Sequence, residues 1–295
     1  MLRLIINPHA SRGHLEDKLP RLLAALKQQG FAFTQHVTRE PTEVMQVAQN
    51  WDPVTDTLVA VGGDGTVQSV AKVAVQQGFR MGIVPYGSAN DFASCLGWST
   101  RPEDALRRLS EPVTPVDLGV LGSEGLFVNG LGMGFDALAG KYSYDAPSYM
   151  TGMPRYVWGV SKALKTLDNL QVQVIADGRE IYAGPSFLVS VMNSTRYGGG
   201  FKVAPQAHPS DGLLDIVIGK EIGKGMLASV LPLVVMGQHT ALPYVMIARA
   251  TEVTVRWEAP QACHLDGEML EDRTECQIRI QPKVLQLQGR LRNYR

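Results

Sequence analysis

The chain has 295 residues, which is enough for two domains with a full apolar core. Its 28 Lys and Arg residues equal its 28 Asp and Glu residues, and 45% of the sequence is apolar. This balance argues against a global basic field for nucleic acid and against a polybasic segment for an anionic membrane. Three cysteines without metal-type spacing favour a reducing, cytoplasmic setting, and Cys95 is interpreted as a small buried thiol.

In the first 110 residues, short apolar runs alternate with segments of helical spacing. This alternation predicts a parallel sheet covered by helices on both faces, a three-layer α/β/α domain, with ligands beyond the carboxyl ends of the strands. The predicted strands are Leu2–Asn7, Phe31–Thr38, Thr57–Val61 and Met81–Pro85, and the predicted helices are Leu15–Gln29, Pro41–Asn50, Val67–Gln77 and Arg101–Ser110.

The strongest single motif is the stretch Val59–Val67, in which an apolar strand runs directly into Gly62–Thr66 and then into a helical pattern. Glycines let the backbone approach a phosphate, and unpaired N–H groups at a helix start point at it. A carboxylate beside a phosphate requires a cation between the two, so Asp64 indicates a nucleotide with Mg²⁺. A tight Asp-Gly turn with a purely structural role is the alternative.

A second turn, Tyr86–Phe92, follows the next predicted strand. Ser88 and Asp91 have the spacing of a short capping box, which is the structural alternative for both residues. Because neighbouring parallel strands end at the same edge of a sheet, this turn is expected to lie beside the first one.

From Val113 onward, short strands and glycine turns dominate, and one helix is predicted at about residues 154–167. Many short alternating strands predict an antiparallel β-sandwich as a second domain, with the boundary near residues 115–125. The apolar segment Met226–Met236 contains Pro232 and is too short to cross a bilayer. It is interpreted as a core helix, with an interfacial segment as the alternative; the loop Tyr142–Met153 is a second weak candidate for membrane contact.

The second half also carries acidic turns, at Asp211-Gly212 and at Asp266-Gly267-Glu268. Each Asp-Gly alone is typical of a hairpin turn. In an extended segment Asp266 and Glu268 would face the same side. Two carboxylates on one face are costly unless they are solvated, paired or bound to a metal, so this turn is the more informative one.

Taken together, the motifs occur in a characteristic order, and the chain resembles the diacylglycerol kinase catalytic family, specifically its soluble bacterial lipid kinases. The resemblance covers nearly the whole chain. The motifs are Ile-Ile-Asn-Pro-x-x-Ser at 5–11, Gly-Gly-Asp-Gly-Thr at 62–66, Pro-x-Gly-Ser-Ala-Asn-Asp-Phe-Ala at 85–93, Val-Asp-Leu-Gly at 116–119, Phe-Val-Asn-Gly at 127–130, Gly-Gly-Gly-Phe at 198–201, Asp-Gly-Leu-Leu-Asp at 211–215 and Leu-Asp-Gly-Glu at 265–268.

The resemblance implies a nucleotide-binding domain at residues 1–120, to which a C-terminal segment at 281–295 returns, and a β-sandwich domain at 121–280. ATP is expected between the two domains, with Mg²⁺ as the cofactor. The implied reaction moves the γ-phosphate of ATP to a lipid hydroxyl, with diacylglycerol as the first expectation. The enzyme would be cytoplasmic, would meet its lipid by peripheral contact with a membrane surface and would bind no nucleic acid; whether it forms a homodimer stays open.

Residue roles follow from the same resemblance. Glu268 matches the proton acceptor, with Asp266 beside it, and Asp64 completes the catalytic set. Asp64 and Asp117 would organise the catalytic Mg²⁺. Asp211, with main-chain oxygens near His208 and Leu213, matches a second, structural metal position. The nucleotide-binding residues would be Asn7, Pro8, Ser11, Thr38, Gly62, Gly63, Asp64, Gly65, Thr66, Val67, Gln68, Ser69, Ser88, Asn90 and Asp91.

Three departures from the family pattern stand out. Ser88 replaces a usual Thr, Gln68 replaces a frequent Asn, and Ser210 replaces one acid of a common Asp-Asp-Gly, which would weaken the second metal site. Three alternatives stay open: an NAD kinase, which shares Gly-Gly-Asp-Gly-Thr; a kinase of another lipid, namely a sphingoid base, ceramide or phosphatidylglycerol; and a non-catalytic nucleotide-binding regulator.

Overall fold

A computed structural model describes residues 1–8, 15–99, 101–150 and 153–291. The chain forms two compact units. The first comprises Met1–Asp117 and Lys283–Arg295, and the second comprises Leu118–Pro282.

The first unit is built on a parallel sheet. Its strands are β1 (Leu2–Ile6), β2 (Phe33–Val37), β3 (Thr57–Gly62) and β4 (Arg80–Pro85), in the order β4-β3-β1-β2. The last residues of the strand Glu268–Gln288 return to this unit, where Gln286 and Leu287 pair in parallel with Arg80 and Met81. The prediction of a parallel sheet is confirmed, because each pair in this order runs in the same direction.

Helices cover both faces of that sheet. They are α1 (Leu15–Gln28), α2 (Pro41–Ala48), α3 (Asp64–Gln77), α4 (Asp91–Cys95) and α5 (Pro102–Arg108). On one face, Val59 and Val61 pack with Leu22 of α1 and Leu106 of α5. Side chains alternate along a strand, so the residues next to Val59 and Val61 point to the opposite face of the sheet. Helix α3 packs against β1, β3 and β4 on that face. The three-layer α/β/α prediction is confirmed.

The second unit is an antiparallel β-sandwich, as predicted. Its strands are β5 (Val113–Leu121), β6 (Gly125–Phe127), β7 (Gly130–Gly134), β8 (Leu170–Ala176), β9 (Arg179–Met192), β10 (Leu214–Lys220), β11 (Val245–Ala250), β12 (Glu252–Leu265) and β13 (Glu268–Gln288). The first residues of β5 and the last of β13 belong to the first unit. β9 pairs with β8 near its start and with β7 and β10 near its end, so one long strand serves several partners.

Three helices accompany these strands: α6 (Phe135–Ser143), α7 (Met153–Ala163) and α8 (Lys224–Met236). The predicted helix at 154–167 is α7, which tightens into a 3₁₀ turn at Leu164–Thr166. The sequence analysis did not predict α6, because its glycine-rich approach, Gly130–Gly134, reads as a series of turns. In the structure that approach is strand β7, all five residues of which are buried.

The interpretation of Met226–Met236 as a core helix is wrong for its outer face. Within α8 only Leu227 and Val230 are buried, whereas Met226 and Met236 are each 51% exposed. Among the helices of the described residues, none has the length and apolar character needed to cross a membrane.

Candidate active site

Four predicted nucleotide-binding positions meet at the carboxyl edge of the parallel sheet. Asn7, Thr38 and Gly62 follow or end neighbouring strands, and each is bonded to the next strand through the main chain. The amide of Asn7 donates to the carbonyl of Val61 (3.2 Å), and the amide of Thr38 donates to the carbonyl of Ile6 (2.9 Å). Pro8 follows directly, and Ser11 lies outside the described residues.

Helix α3 begins at Asp64, three residues before the predicted start, so most of the glycine motif forms its first turn. The amides of a first turn have no acceptor within the helix, and the helix dipole adds positive potential there. Thr66 Oγ1 is buried and has no hydrogen-bond partner among the described residues. A Cβ atom on Gly62 would lie 2.3 Å from that oxygen, so glycine is required for this packing. The arrangement is suited to binding a phosphate.

The loop after β4 lies against the glycine motif. A Cβ atom on Gly63 would lie 3.1 Å from the Cα atom of Gly87. Asn90 supports this loop by accepting a hydrogen bond from the amide of Gly87 (2.8 Å) and donating one to its carbonyl (2.9 Å). The structure therefore assigns Asn90 to holding the loop. Gly87 was missing from the predicted site, although it lies within the Pro-x-Gly-Ser motif.

The capping-box alternative for Ser88 and Asp91 is wrong. Helix α4 begins at Asp91 with Asn90 as its N-cap residue, so Ser88 lies outside the helix and is exposed. Its hydroxyl group is accessible at the same edge of the sheet.

Asp64 places a carboxylate between the two loops. Its Oδ1 atom accepts a hydrogen bond from the amide of Phe92 (3.3 Å), at the start of α4. Burial raises the pKa of Asp64, and amide hydrogen bonds from Phe92 and its neighbours partly oppose that effect. A half-buried carboxylate whose charged form is disfavoured gains from a nearby cation, so this position is suited to Mg²⁺.

The remaining motif residues on α3 have supporting positions. Val67 and Gln68 are buried, and the hydroxyl of Ser69 donates to the carbonyl of Gly65 (2.9 Å). These contacts stabilise the first turn of the helix that presents its amides.

Asp117 is fully buried and tied to the returning segment, because its Oδ1 atom accepts a hydrogen bond from the amide of Lys283 (2.7 Å). The described residues contain no cluster of three or more His, Cys, Asp or Glu side chains suited to a metal ion. Mg²⁺ commonly takes only one or two carboxylates and completes its shell with water and phosphate oxygens, so a site for this ion does not need such a cluster.

In the second unit, the turn between β12 and β13 is held by Asp266. Its carboxylate accepts hydrogen bonds from the amides of Val128 (2.7 Å), Asn129 (2.7 Å) and Gly130 (2.9 Å). Asp266 and Gly267 both have positive φ angles, +52° and +90°, as in a two-residue type I′ hairpin turn. The expectation that Asp266 and Glu268 share one strand face is therefore wrong: Asp266 anchors the turn, and Glu268 is exposed beyond it.

A buried polar cluster lies behind this turn, and none of its residues was among the predicted site residues. His264 Nδ1 accepts a hydrogen bond from the amide of Gly267 (3.2 Å), and its Nε2 atom lies 3.6 Å from Asp136 Oδ2. The hydroxyls of Ser190 and Tyr197 also donate to that oxygen. Burial raises the pKa of Tyr197 well above its ordinary value, and the Asp136 carboxylate adds to the effect. Of these residues, only His264 stands next to a motif in the sequence, the acidic turn Asp266-Gly267-Glu268.

An apolar cavity adjoins this cluster within the second unit. Asp136, Ser190, Tyr197 and His239 are its strongly polar lining side chains. Most of the remaining lining is aliphatic or aromatic, and α8 forms part of the wall. The apolar lining includes Phe135, Phe187, Leu227, Val230, Leu231 and Val234. The structure thus places a carboxylate, an imidazole ring and the hydroxyl-bearing side chains of Ser190, Tyr197 and Tyr156 at a largely apolar cavity.

The residues predicted for the second metal do lie together, but their oxygen atoms are engaged. The carbonyl of His208 accepts hydrogen bonds from the amides of Ser210 (2.8 Å) and Asp211 (3.3 Å). Asp211 Oδ1 accepts one from the amide of Leu213 (3.1 Å). The guanidinium group of Arg249 also lies 3.8 Å from Asp211 Oδ2, so a cation already stands beside this donor set.

Comparison with known families identifies both halves of the chain. Residues 1–121 match the diacylglycerol kinase catalytic domain, and residues 130–289, more than half of the chain, match the YegS C-terminal NAD kinase beta sandwich-like domain. The chain belongs to the diacylglycerol kinase family. Membership in this family makes the chain a kinase, a phosphotransferase that acts on an alcohol group.

Individual relatives of this family member extend over most of its length. A diacylglycerol kinase from Bacillus subtilis (strain 168) is 27% identical over 276 residues, covering 90% of this chain and 89% of the relative. The crystal structure of a diacylglycerol kinase from Bacillus anthracis str. Sterne aligns with a TM-score of 0.72 at 23% identity, covering 98% of this chain and 96% of that one. An NAD kinase from Archaeoglobus fulgidus in complex with ATP aligns at 15% identity with a TM-score of 0.53, over 95% of this chain and 90% of that one. These two structures share the fold of this kinase.

Proposed function

We propose that this kinase transfers the γ-phosphoryl group of ATP to the hydroxyl group of a lipid, with diacylglycerol as the acceptor. The observation that carries the choice of a lipid is the apolar cavity of the second unit. A methylene chain gains free energy on entering such a lining, whereas the phosphates and ribose of NAD would leave their polar groups unsatisfied there. The name of the relative from Bacillus subtilis supports the same acceptor.

The nucleotide would bind at the carboxyl edge of the parallel sheet. The free amides at the start of α3 would receive phosphate oxygens, and Thr66 Oγ1, which is buried without a partner among the described residues, would gain one. Asp64 and Asp117 would hold Mg²⁺. When bound, this ion neutralises charge on the phosphates.

Glu268 is proposed as the group that accepts the proton of the attacking hydroxyl. Phosphoryl transfer is catalysed mainly by positioning and charge stabilisation, and a carboxylate near the nucleophile assists it. Glu268 is exposed and follows a turn whose geometry is fixed by three amide hydrogen bonds to Asp266. The rigid turn would hold the carboxylate in one place for the incoming hydroxyl.

The outer face of α8 supports peripheral contact with a membrane. Met226, Val235 and Met236 are exposed, while Leu227 and Val230 on the same helix reach the apolar cavity. Exposed apolar side chains on a surface helix can enter the boundary between headgroups and acyl chains. Such a position would bring the lipid substrate next to the cavity that we assign to its chain.

The decisive experiment is Mg²⁺-dependent transfer of labelled γ-phosphate from ATP to an acceptor panel. The panel contains diacylglycerol in mixed micelles, sphingosine, phosphatidylglycerol and NAD. We expect labelled phosphatidic acid. Label on another lipid would retain the lipid kinase and change its acceptor, whereas label on NAD would overturn the proposal.

A variant pair tests the role of Glu268. Glu268→Gln should abolish transfer while ATP binding, measured by calorimetry, persists. Glu271→Gln is the matched control, because Glu271 is an exposed glutamate three residues further along β13. Equal activity of the two variants would exclude Glu268 as the proton acceptor.

A further inference from the structure

Arg249 places a partly exposed cation beside Asp211, one of the residues expected to hold the second metal. It lies on β11 directly opposite Asp215 on β10. Its Nε atom donates to Asp215 Oδ1 (3.0 Å), and its Nη2 atom donates to the carbonyl of Gln206 (2.9 Å). Its Nη1 atom lies 3.8 Å from Asp211 Oδ2. One guanidinium group on β11 therefore faces oxygen atoms of three residues within the stretch 206–215.

The contacts of Arg249 are with oxygen atoms of the kind that Ca²⁺ and Mg²⁺ prefer, two carboxylates and a main-chain carbonyl. Asp215 has the greatest need of a counter-charge, since it is only 2% exposed. Asp215 Oδ2 has no hydrogen-bond partner among the described residues, so without Arg249 both oxygens of a buried carboxylate would lack compensation.

A metal ion at the same carboxylates would compete with this arrangement. The ion would stand next to the positive charge of Arg249, which is held by two hydrogen bonds, and like charges repel. The other expected ligands are also engaged, since the carbonyl of His208 accepts two amide hydrogen bonds and Asp211 Oδ1 accepts one.

We propose that the guanidinium group of Arg249 replaces the second, structural metal ion in this chain, so that the unit is stable without a divalent cation. The inference does not depend on the identity of the lipid acceptor. Removal of Arg249 would leave Asp211, Asp215 and the carbonyl of Gln206 as a set of oxygen ligands for a divalent cation.

The test measures the melting temperature of nucleotide-free protein in chelator and in Ca²⁺. It uses an Asp64→Asn background, which removes a carboxylate from the catalytic cation site. The protein with Arg249 intact should melt at the same temperature in both buffers. Arg249→Ala should melt lower in chelator and recover about 5 °C with Ca²⁺ at saturating concentration. Adding Asp211→Asn to Arg249→Ala should abolish that recovery.

Two control variants separate this effect from the general loss of an arginine. Arg256→Ala removes an exposed arginine that pairs with Glu275 on a neighbouring strand, and its melting temperature should stay independent of Ca²⁺. Arg249→Lys retains the positive charge and should also stay independent. If Arg249→Ala folds only when Ca²⁺ is present, the proposal is supported.

The response of the parent protein to Ca²⁺, compared with that of Asp211→Asn, can overturn the proposal. A rise in its melting temperature with Ca²⁺ that disappears in Asp211→Asn would show that a metal binds beside Arg249. The proposal would also be overturned if Arg249→Ala folded and showed no response to Ca²⁺, since its released oxygens would then form no cation site. If Arg249→Ala does not fold in either buffer, the melting temperatures of the parent protein and of Arg249→Lys test the proposal. It stands if neither temperature changes with Ca²⁺, and it is overturned if the parent protein is stabilised by Ca²⁺ through Asp211.

Discussion

Gly63 and Gly87 lie so close together that a Cβ atom built on Gly87 would stand 2.5 Å from the Cα atom of Gly63. The two residues come from the loops after β3 and β4, which are neighbouring parallel strands. The phosphate-binding motif is therefore braced by the backbone of a second loop. Its shape depends on the absence of a side chain at Gly87 as much as on the glycines of the motif itself.

Gly87→Ala should destabilise the first unit by about 1–3 kcal/mol, the usual cost of overpacking. The added methyl group would overlap the Cα atom of Gly63 and would lie 2.7 Å from Asn90 Oδ1, and the backbone atom has little freedom to move away. Chemical denaturation measures the change. Gly65→Ala is the control, because a Cβ atom there meets nothing within 4 Å. Equal stability of the two variants would contradict the close packing of the loops.

Asp64→Asn should abolish phosphoryl transfer and yet raise the stability of the nucleotide-free protein. Burial raises the pKa of Asp64, so the folded state holds a proton more readily than the unfolded state. Stability should then fall as the pH rises from the ordinary aspartate pKa of about 4 through the higher pKa of the folded protein. Asn removes this charge penalty and retains an oxygen that can accept the amide of Phe92.

The measurement is the free energy of unfolding of both proteins across that pH range. Other carboxylates titrate equally in the two proteins and cancel in the difference. The difference between variant and parent should grow as the pH rises through the window. A constant difference, or a less stable variant at neutral pH, would show that the Asp64 carboxylate is well compensated without a cation.

The first unit was predictable because its signals are local. The strand before Gly62, the glycines and the helical pattern after Thr66 are contiguous, and parallel strands bring the ends of separate motifs together at one edge. The start of α3 was placed late because Asp64 and Gly65 are weak helix formers, whereas in the structure they form the first turn, where capping groups and ligands matter more than propensity.

The second unit was harder to predict because its important contacts are distant in sequence. Asp136 and His264 are 128 positions apart and meet only through the pairing of β7 with β12. The parity argument for Asp266 and Glu268 failed because it assumed an extended strand, whereas positive φ angles at Asp266 and Gly267 form a turn. Apolar content alone could not show that one face of α8 is exposed, since burial depends on what packs against it.

His264→Ala should lower kcat more than it changes the KM for ATP. The ring of His264 accepts a hydrogen bond from the amide of Gly267, so its loss would loosen the turn next to Glu268 while the contacts of Asp266 still hold the turn in place. The glycine motif lies in the other unit, so ATP binding should change less. Cys276→Ala is the control, because Cys276 is also a buried side chain of the second unit and belongs neither to the polar cluster nor to the lining of the apolar cavity. Both variants should lose stability, and kcat should fall mainly in His264→Ala.

Steady-state kinetics well below the melting temperatures of both variants separate the two effects. His264→Gln, which can restore a hydrogen-bond acceptor near Gly267, should recover part of the lost kcat. Equal kcat values for the two alanine variants would mean that the buried cluster supports folding without positioning the turn.

Val234→Phe should shift the acceptor preference of the enzyme toward shorter acyl chains. Val234 lines the apolar cavity, and a phenyl ring there would occupy part of the space that we assign to a methylene chain. Each buried methylene group contributes about 0.8 kcal/mol, so a cavity shortened by two groups should lower kcat/KM for a long-chain acceptor by roughly tenfold. A short-chain diacylglycerol, which does not reach the filled part, should be phosphorylated at nearly the parent rate.

Val235→Phe is the control, since Val235 is the next residue on α8 and is 37% exposed. If Val234→Phe and Val235→Phe lower the rates for long and short chains equally, the cavity is not the acyl site, and α8 would act only at the membrane surface.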